Sequence, residues 1–296
     1  MVEKMKEVGS GKFVLLPNRK WTAFFSPALI GREFFQGLKR VIRYGVWLFV
    51  LLLFLFSLFP SIAKGISMDS SGIFQFLPEM FHDIFRFEAL NVYSEFSLYF
   101  GMSIQFIQML SCIFSMMLAI TCMAPEHEEG TIEFLYSQPV SRFGILCSKF
   151  FGRLCSMLVM NLWSMLVAAV MCLIVTPDGY PWAGEFIQIF SAAVLIQLVY
   201  FCFAFFWSVI IRDVTVSSSI AFGTFLLTWL FGFLPSLVPQ TGFLRYFSPY
   251  YLANPVEMVQ DGYRMDPLHL IICVAVIAAS CAGAYAVFAR KEFCRS

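Results

Sequence analysis

The sequence predicts an all-α integral membrane protein with six transmembrane helices, and three observations carry that prediction. The first is composition. Of 296 residues, 59% are hydrophobic and 18% aromatic, but only 13% are charged. Mean hydropathy is +0.78. Soluble domains are about 45–50% apolar and about 25% charged, and a water-exposed surface could not hide this much apolar area. The second is a set of six runs free of Asp, Glu, Lys and Arg: Tyr44–Ile62, Phe96–Pro125, Leu154–Pro177, Phe186–Ile211, Val214–Leu244 and Pro267–Ala289. A span needs about 20 residues, and one charge at its centre costs about 2.5–3.5 kcal/mol. The third is where the basic residues sit between the runs. With the N-terminus inside, sixteen Lys and Arg fall on the inner side and four (Lys64, Arg86, Arg245, Arg264) on the outer side. The positive-inside rule then places both termini in the cytosol of a multi-pass cell-membrane protein. The net charge of +1 carries no such information. The chain reads as a single transmembrane domain, 1–296: a segment 1–43, spans within 44–289, and a tail 290–296.

Residues 1–43 hold nine of the basic residues. No apolar h-region follows the start closely, so no secretory signal is expected. Ser26-Pro27 can open a helix, with Pro at its first position. Leu29, Ile30, Phe34, Phe35 and Leu38 then recur at helical spacing against Arg32, Glu33, Lys39 and Arg40. This predicts an N-terminal interfacial amphipathic helix ahead of the first span. In the loop Ala63–Glu95, Ile73, Phe74, Leu77, Met80, Phe81, Ile84 and Phe85 share one helical face, suited to the outer leaflet; His82 has no metal-ligand partner there. The fifth run is longer than a span needs. Pro235 and Pro239 are expected to end its helix, leaving an interfacial or re-entrant piece. Ser217, Ser218, Ser219 and Gly223 in the fifth span, and Ala275, Ala279 and Gly283 in the sixth, suit close helix packing. Lining a substrate path is the sharper reading of the fifth-span group.

Several chemistries are excluded. Gly9-Ser10-Gly11-Lys12 lacks the spacing and the following Ser or Thr of a phosphate-binding loop, so the chain has no ATP-binding motif of its own. The runs hold no ionisable mid-membrane group of the kind an ion-coupled carrier needs. His127 has no second His at zinc-site spacing. Catalytic residues, a resident metal, a resident cofactor and nucleic acid are therefore not expected. The nine cysteines fall inside apolar runs or on the inner side, which argues against a disulfide framework and for small buried residues.

One polar stretch between runs two and three stands out: Glu126–Arg142, EHEEGTIEFLYSQPVSR. Gly130 permits a tight turn. Thr131 can cap a short helix whose positive N-terminal end favours Glu133. Ile132, Phe134, Leu135 and Tyr136 offer an apolar knob. Pro139 stops the helix, and Ser141 can cap the next one. Arg142 can pair with an acid or a lipid phosphate, and Glu126 with a neighbouring basic group. A helix with defined ends held between two spans suits docking to a soluble partner; resting on the membrane is the plainer alternative.

The pattern of Glu126, Gly130, Thr131, Glu133, Leu135, Pro139, Ser141 and Arg142 resembles the coupling segment of permease subunits of type-2 ABC transporters. Phe247–Pro255 (FSPYYLANP) and the closing FARKEF are similar to later parts of that family. The resemblance implies two copies of an ABC ATPase subunit that bind ATP and Mg, a second permease of the same or a related kind, and export across the lipid bilayer. The segment would be an ATPase-coupling element through Glu126, Gly130, Thr131, Ile132, Glu133, Phe134, Leu135, Pro139 and Arg142. Spans two and five would flank the path. The charge-free spans suit an amphiphilic or hydrophobic cargo. Two alternatives stay open: a non-transporting ABC membrane partner for signalling or protein maturation, and a membrane scaffold or enzyme without an ATPase.

Overall fold

The computed structural model describes residues 6–8, 12–14, 26–66, 96–125, 141–175, 182–211, 213–252, 254–255, 258 and 266–290. Among these, six helices are long and apolar enough to cross a membrane. They are α1 (Pro27–Ile66), α2 (Phe96–Ile120), α3 (Arg142–Val175), α4 (Trp182–Ile210), α5 (Val214–Leu237) and α7 (Pro267–Arg290). Between the last two lie a 3-10 helix, Pro239–Phe247, and the short α6, Pro249–Leu252. Ahead of them two three-residue strands, β1 (Lys6–Val8) and β2 (Lys12–Val14), pair antiparallel with Lys6 opposite Val14. This pair was not foreseen. Its sequence signal is Gly9-Ser10-Gly11 between Lys-Glu-Val and Lys-Phe-Val, a Gly-containing three-residue hairpin connection.

The helix starts follow their caps. The Ser26 hydroxyl accepts from Leu29 N at 3.4 Å, with Pro27 first in α1. Ser141 accepts from Gly144 N at 3.0 Å and opens α3, as its sequence context predicts. The Asp213 carboxylate takes both Thr215 N and Val216 N at the start of α5, and Asp266 takes Leu268 N at the start of α7. Pro235 sits inside the last turn of α5, and Pro239 opens the 3-10 helix after Val238 leaves helical geometry. The long fifth run thus splits as expected. Its return segment is held by Tyr250, whose hydroxyl donates to Gln105 O of α2 at 2.8 Å.

Two boundaries differ from the charge-free runs. The amphipathic stretch from Pro27 is helical, as read, but continues without a break into the first span as one 40-residue helix. Likewise α3 starts at Arg142, well before the charge-free run opens at Leu154, as the Ser141 cap predicts, and carries Lys149 and Arg153 into the bundle. An absence of charge marks where lipid begins; it does not mark where a helix begins.

Side-chain contacts fix the bundle. Along α1 and α3 the partners ascend together: Ser26 with Ser148, Glu33 with Lys149 and Arg153, Gly37 with Ser156, Gly45 with Trp163. The two helices are therefore parallel. On α2 and α4, Phe100 meets Phe186 and Ser115 meets Gln197, again parallel. Between α3 and α4 the order reverses, Phe150 against Phe205 and Asn161 against Gln197. Neighbouring spans thus alternate in direction. The starts of α1, α3 and α5 and the ends of α2, α4 and α7 share one end of the bundle, called below the Arg142 end. The buried core is a continuous apolar cluster including Leu48, Phe56, Ile104, Phe201 and Phe225. Outward faces carry exposed apolar side chains such as Trp47, Leu162 and Leu173, as lipid contact requires.

Candidate functional site

Glu126, Gly130, Thr131, Ile132, Glu133, Phe134, Leu135 and Pro139 lie outside the described residues. Arg142 is the first helical residue of α3. What the structure defines is the pair of stems on which the 126–140 segment stands. The leading stem is the end of α2. There Cys122 N bonds Ala119 O in a tight turn, and Cys122, Met123 and Ala124 are fully buried. The trailing stem is the first four turns of α3, beginning at the Ser141 cap.

Both stems meet α1 at a buried charge cluster. Lys149 Nζ donates to Glu33 Oε1 at 2.9 Å and also to Cys122 O at 2.9 Å. One ammonium thereby ties α1, α2 and α3 together. One turn on, Arg153 Nη2 lies 3.0 Å from Glu33 Oε2, an ion pair that is out of line for a hydrogen bond. The same nitrogen donates to Gln36 Oε1 at 3.2 Å and Thr121 O at 3.3 Å. Arg153 Nε and Nη1 are buried without an acceptor among the described residues. The buried cluster holds two cations and one anion, with the half-buried Arg40 guanidinium within electrostatic reach of both Glu33 and Arg153. Low dielectric makes each contact strong and each missing contact costly.

Small residues bring the backbones close enough for this. A Cβ on Gly152 would lie 2.6 Å from Glu33 Cβ and 2.9 Å from Ile30 O. A Cβ on Gly37 would lie 2.7 Å from Ser156 Cβ and collide with Ser156 Oγ. Ser156 Oγ in turn donates to Phe34 O at 3.1 Å. Sequence reading missed Glu33, Lys149 and Arg153 as site residues. The available signals were the i, i+4 spacing of Lys149 and Arg153, which puts both on one helical face, and Glu33 as the sole acid among Arg32, Lys39, Arg40 and Arg43.

A second polar contact lies in the middle of the bundle. Asn161 Nδ2 donates to Gln197 Oε1 and Gln197 Nε2 to Asn161 Oδ1, both at 2.9 Å. This reciprocal amide pair joins α3 to α4. The fifth-span group does not form one surface. Ser217 is fully buried and its hydroxyl has no partner among the described residues. Ser218 and Ser219 bond back to Val214 O and Thr215 O. Ser219 is exposed, and a Cβ on Gly223 would meet nothing within 4 Å. No group of three His, Cys, Asp or Glu among the described residues can hold a metal ion.

The arrangement joins α1, the end of α2 and α3 through buried side-chain contacts. A family model described as ABC-2 family transporter protein matches residues 38–293. No curated protein matches the chain.

Proposed function

The chain belongs to the ABC-2 transporter family, whose members are membrane subunits that work with an ABC ATPase, and from that premise we propose that it exports an amphiphilic or hydrophobic cargo under the drive of a separate ATPase docked on its 126–142 segment. In this reading the Arg142 end faces the cytosol, with both termini there. Arg32, Lys39, Arg40, Arg43, Lys149, Arg153 and Arg290 all belong to that end, which agrees with the positive-inside rule. ATP and Mg are held by the partner, in two copies, and a second permease of the same or a related kind completes the path. Glu126, Gly130, Thr131, Ile132, Glu133, Phe134, Leu135, Pro139 and Arg142 form the docking element, and closure of the ATPases pushes it.

The observation that carries this reading is the anchoring of both stems. A docking element transmits force only if its roots do not yield. Here the buried Cys122–Ala124 turn and the capped start of α3 are joined by Lys149 within hydrogen-bond distance. A segment that merely rested on the membrane would need no such fixture. The test is purification of the chain from its own cells in mild detergent, with identification of bound proteins and an ATPase assay. The expected result is a bound phosphate-loop ATPase that is lost when Ile132, Phe134 and Leu135 become Asp. A chain that purifies alone, unaffected by those changes, would overturn the proposal.

A further inference from the structure

We propose that Glu33, Lys149 and Arg153 form a clasp that makes the first span a transmitting element, driven together with the stems of the 126–142 segment. This rests on the coupling reading above and extends it, because that reading has the ATPases push only the 126–142 segment.

Four observations carry the inference. The clasp sits at the root of the segment, since the ammonium that holds Glu33 also holds Cys122 O. It is dry, with Lys149 and Glu33 each 1% exposed, so water cannot replace the contacts as the helices slide. It is backed by two close approaches of α1 to α3: an added Cβ would meet Ile30 O and Phe34 N at Gly152, and the Ser156 side chain at Gly37. Finally, α1 runs unbroken from Pro27 through the span, so a displacement at Glu33 reaches the membrane-embedded part without a hinge. An interfacial helix joined by a flexible elbow would absorb such a displacement. The uninterrupted helix from Pro27 into the span has no such elbow. Lys149, Arg153 and Glu33 are positioning residues, since none of them needs to touch cargo or nucleotide.

The experiment is amide hydrogen exchange on the purified complex with its ATPase, with and without ATP and vanadate. In the wild type, peptides from 27–43 and from 142–156 are both expected to change protection on nucleotide trapping. In Glu33→Gln and in Lys149→Met the 142–156 response should persist while the 27–43 response is lost, with the ATPase still bound. Lys149→Arg, which keeps the cation, should retain it. A silent 27–43 stretch in the wild type beside a responding 142–156 stretch would overturn the clasp and leave the coupling reading intact. So would an unchanged 27–43 response in both neutral variants, or an equal loss in Lys149→Arg. Silence of both stretches with ATPase bound would overturn the coupling reading, and the clasp with it.

Discussion

Lys149 Nζ lies 2.9 Å from Glu33 Oε1 across 116 residues of sequence, and neither side chain is more than 1% exposed. Charge count makes the pair asymmetric. Removing Glu33 leaves Lys149 and Arg153 buried together, with Arg40 nearby and no anion, whereas removing Lys149 leaves Glu33 paired with Arg153 and within reach of Arg40. Breaking a buried pair so as to strand a charge costs about 3–5 kcal/mol. Glu33→Ala is therefore expected near the upper end of that range and Lys149→Met below it. Thermal unfolding of the detergent-solubilised protein would read the order. A larger loss in Lys149→Met would mean that the bond to Cys122 O outweighs the charge balance.

The glycines of α1 divide by what faces them. Gly37 meets Ser156, and overpacking of a filled contact costs about 1–3 kcal/mol, so Gly37→Ala should destabilise. Ser156→Gly in the same chain should restore part of the loss, since the obstructing atoms are its Cβ and Oγ. Gly31 meets nothing within 4 Å. Gly31→Ala should be neutral or gain up to about 1 kcal/mol from helix propensity. Equal effects at the two positions in an unfolding series would contradict the close approach of α1 to α3.

The reciprocal amides of Asn161 and Gln197 predict a non-additive cycle. Asn161→Leu removes both bonds of the Gln197 amide, and Gln197→Leu leaves Asn161 Oδ1 without its donor while Nδ2 keeps Met157 O at 3.0 Å; the double change removes both amides. Interhelical hydrogen bonds in membranes average about 0.6 kcal/mol and reach about 1.7. A coupling energy inside that range is expected from a double-mutant cycle. Strict additivity would show that the bond of Asn161 to Met157 O, and a substitute partner for Gln197, replace the reciprocal pair.

What could be read from the sequence, and what could not, follows from the range of the interactions involved. The spans were legible because lipid forbids charge over a whole run, a local rule. Ser26, Ser141, Pro235 and Pro239 were legible as punctuation because caps and proline act within one turn. Lys149 and Arg153 are legible only as inner-side charges on the helix that Ser141 caps; their burial depends on Glu33, which lies on another helix. The division of the α5 serines into buried Ser217 and exposed Ser219 depends on how that helix is rotated. Ser217, Ser218 and Ser219 are identical in composition and adjacent in sequence, so no local rule could separate them.

The 126–142 segment predicts a defect of motion rather than of folding. Gly130 is expected to provide the turn out of the α2 stem, and a β-branched side chain there opposes that backbone. Gly130→Val should abolish ATPase stimulation by the membrane subunit at unchanged protein level, because the buried Cys122–Ala124 turn before it is untouched. Full stimulation at normal level would count against the turn.

The fifth span gives the sharpest test of where cargo or a second permease runs. Ser217 points into the core and its hydroxyl has no partner there among the described residues, so Ser217→Ala removes a desolvated group and should be neutral or stabilising. Ser219 and Gly223 lie one turn apart on the open side of α5, with space beside Gly223. Bulk there is expected to leave the packing of the described residues undisturbed, since Ser219 is exposed and nothing among them lies within 4 Å of a Cβ on Gly223. Gly223→Leu and Ser219→Leu should therefore leave the unfolding temperature within a degree or two. They should still change either ATPase stimulation or the dimer fraction of the purified complex, if that face meets cargo or a second subunit. If both variants match the wild type in stability, assembly and ATPase stimulation, the open side of α5 faces lipid alone, and the path must be sought on another helix.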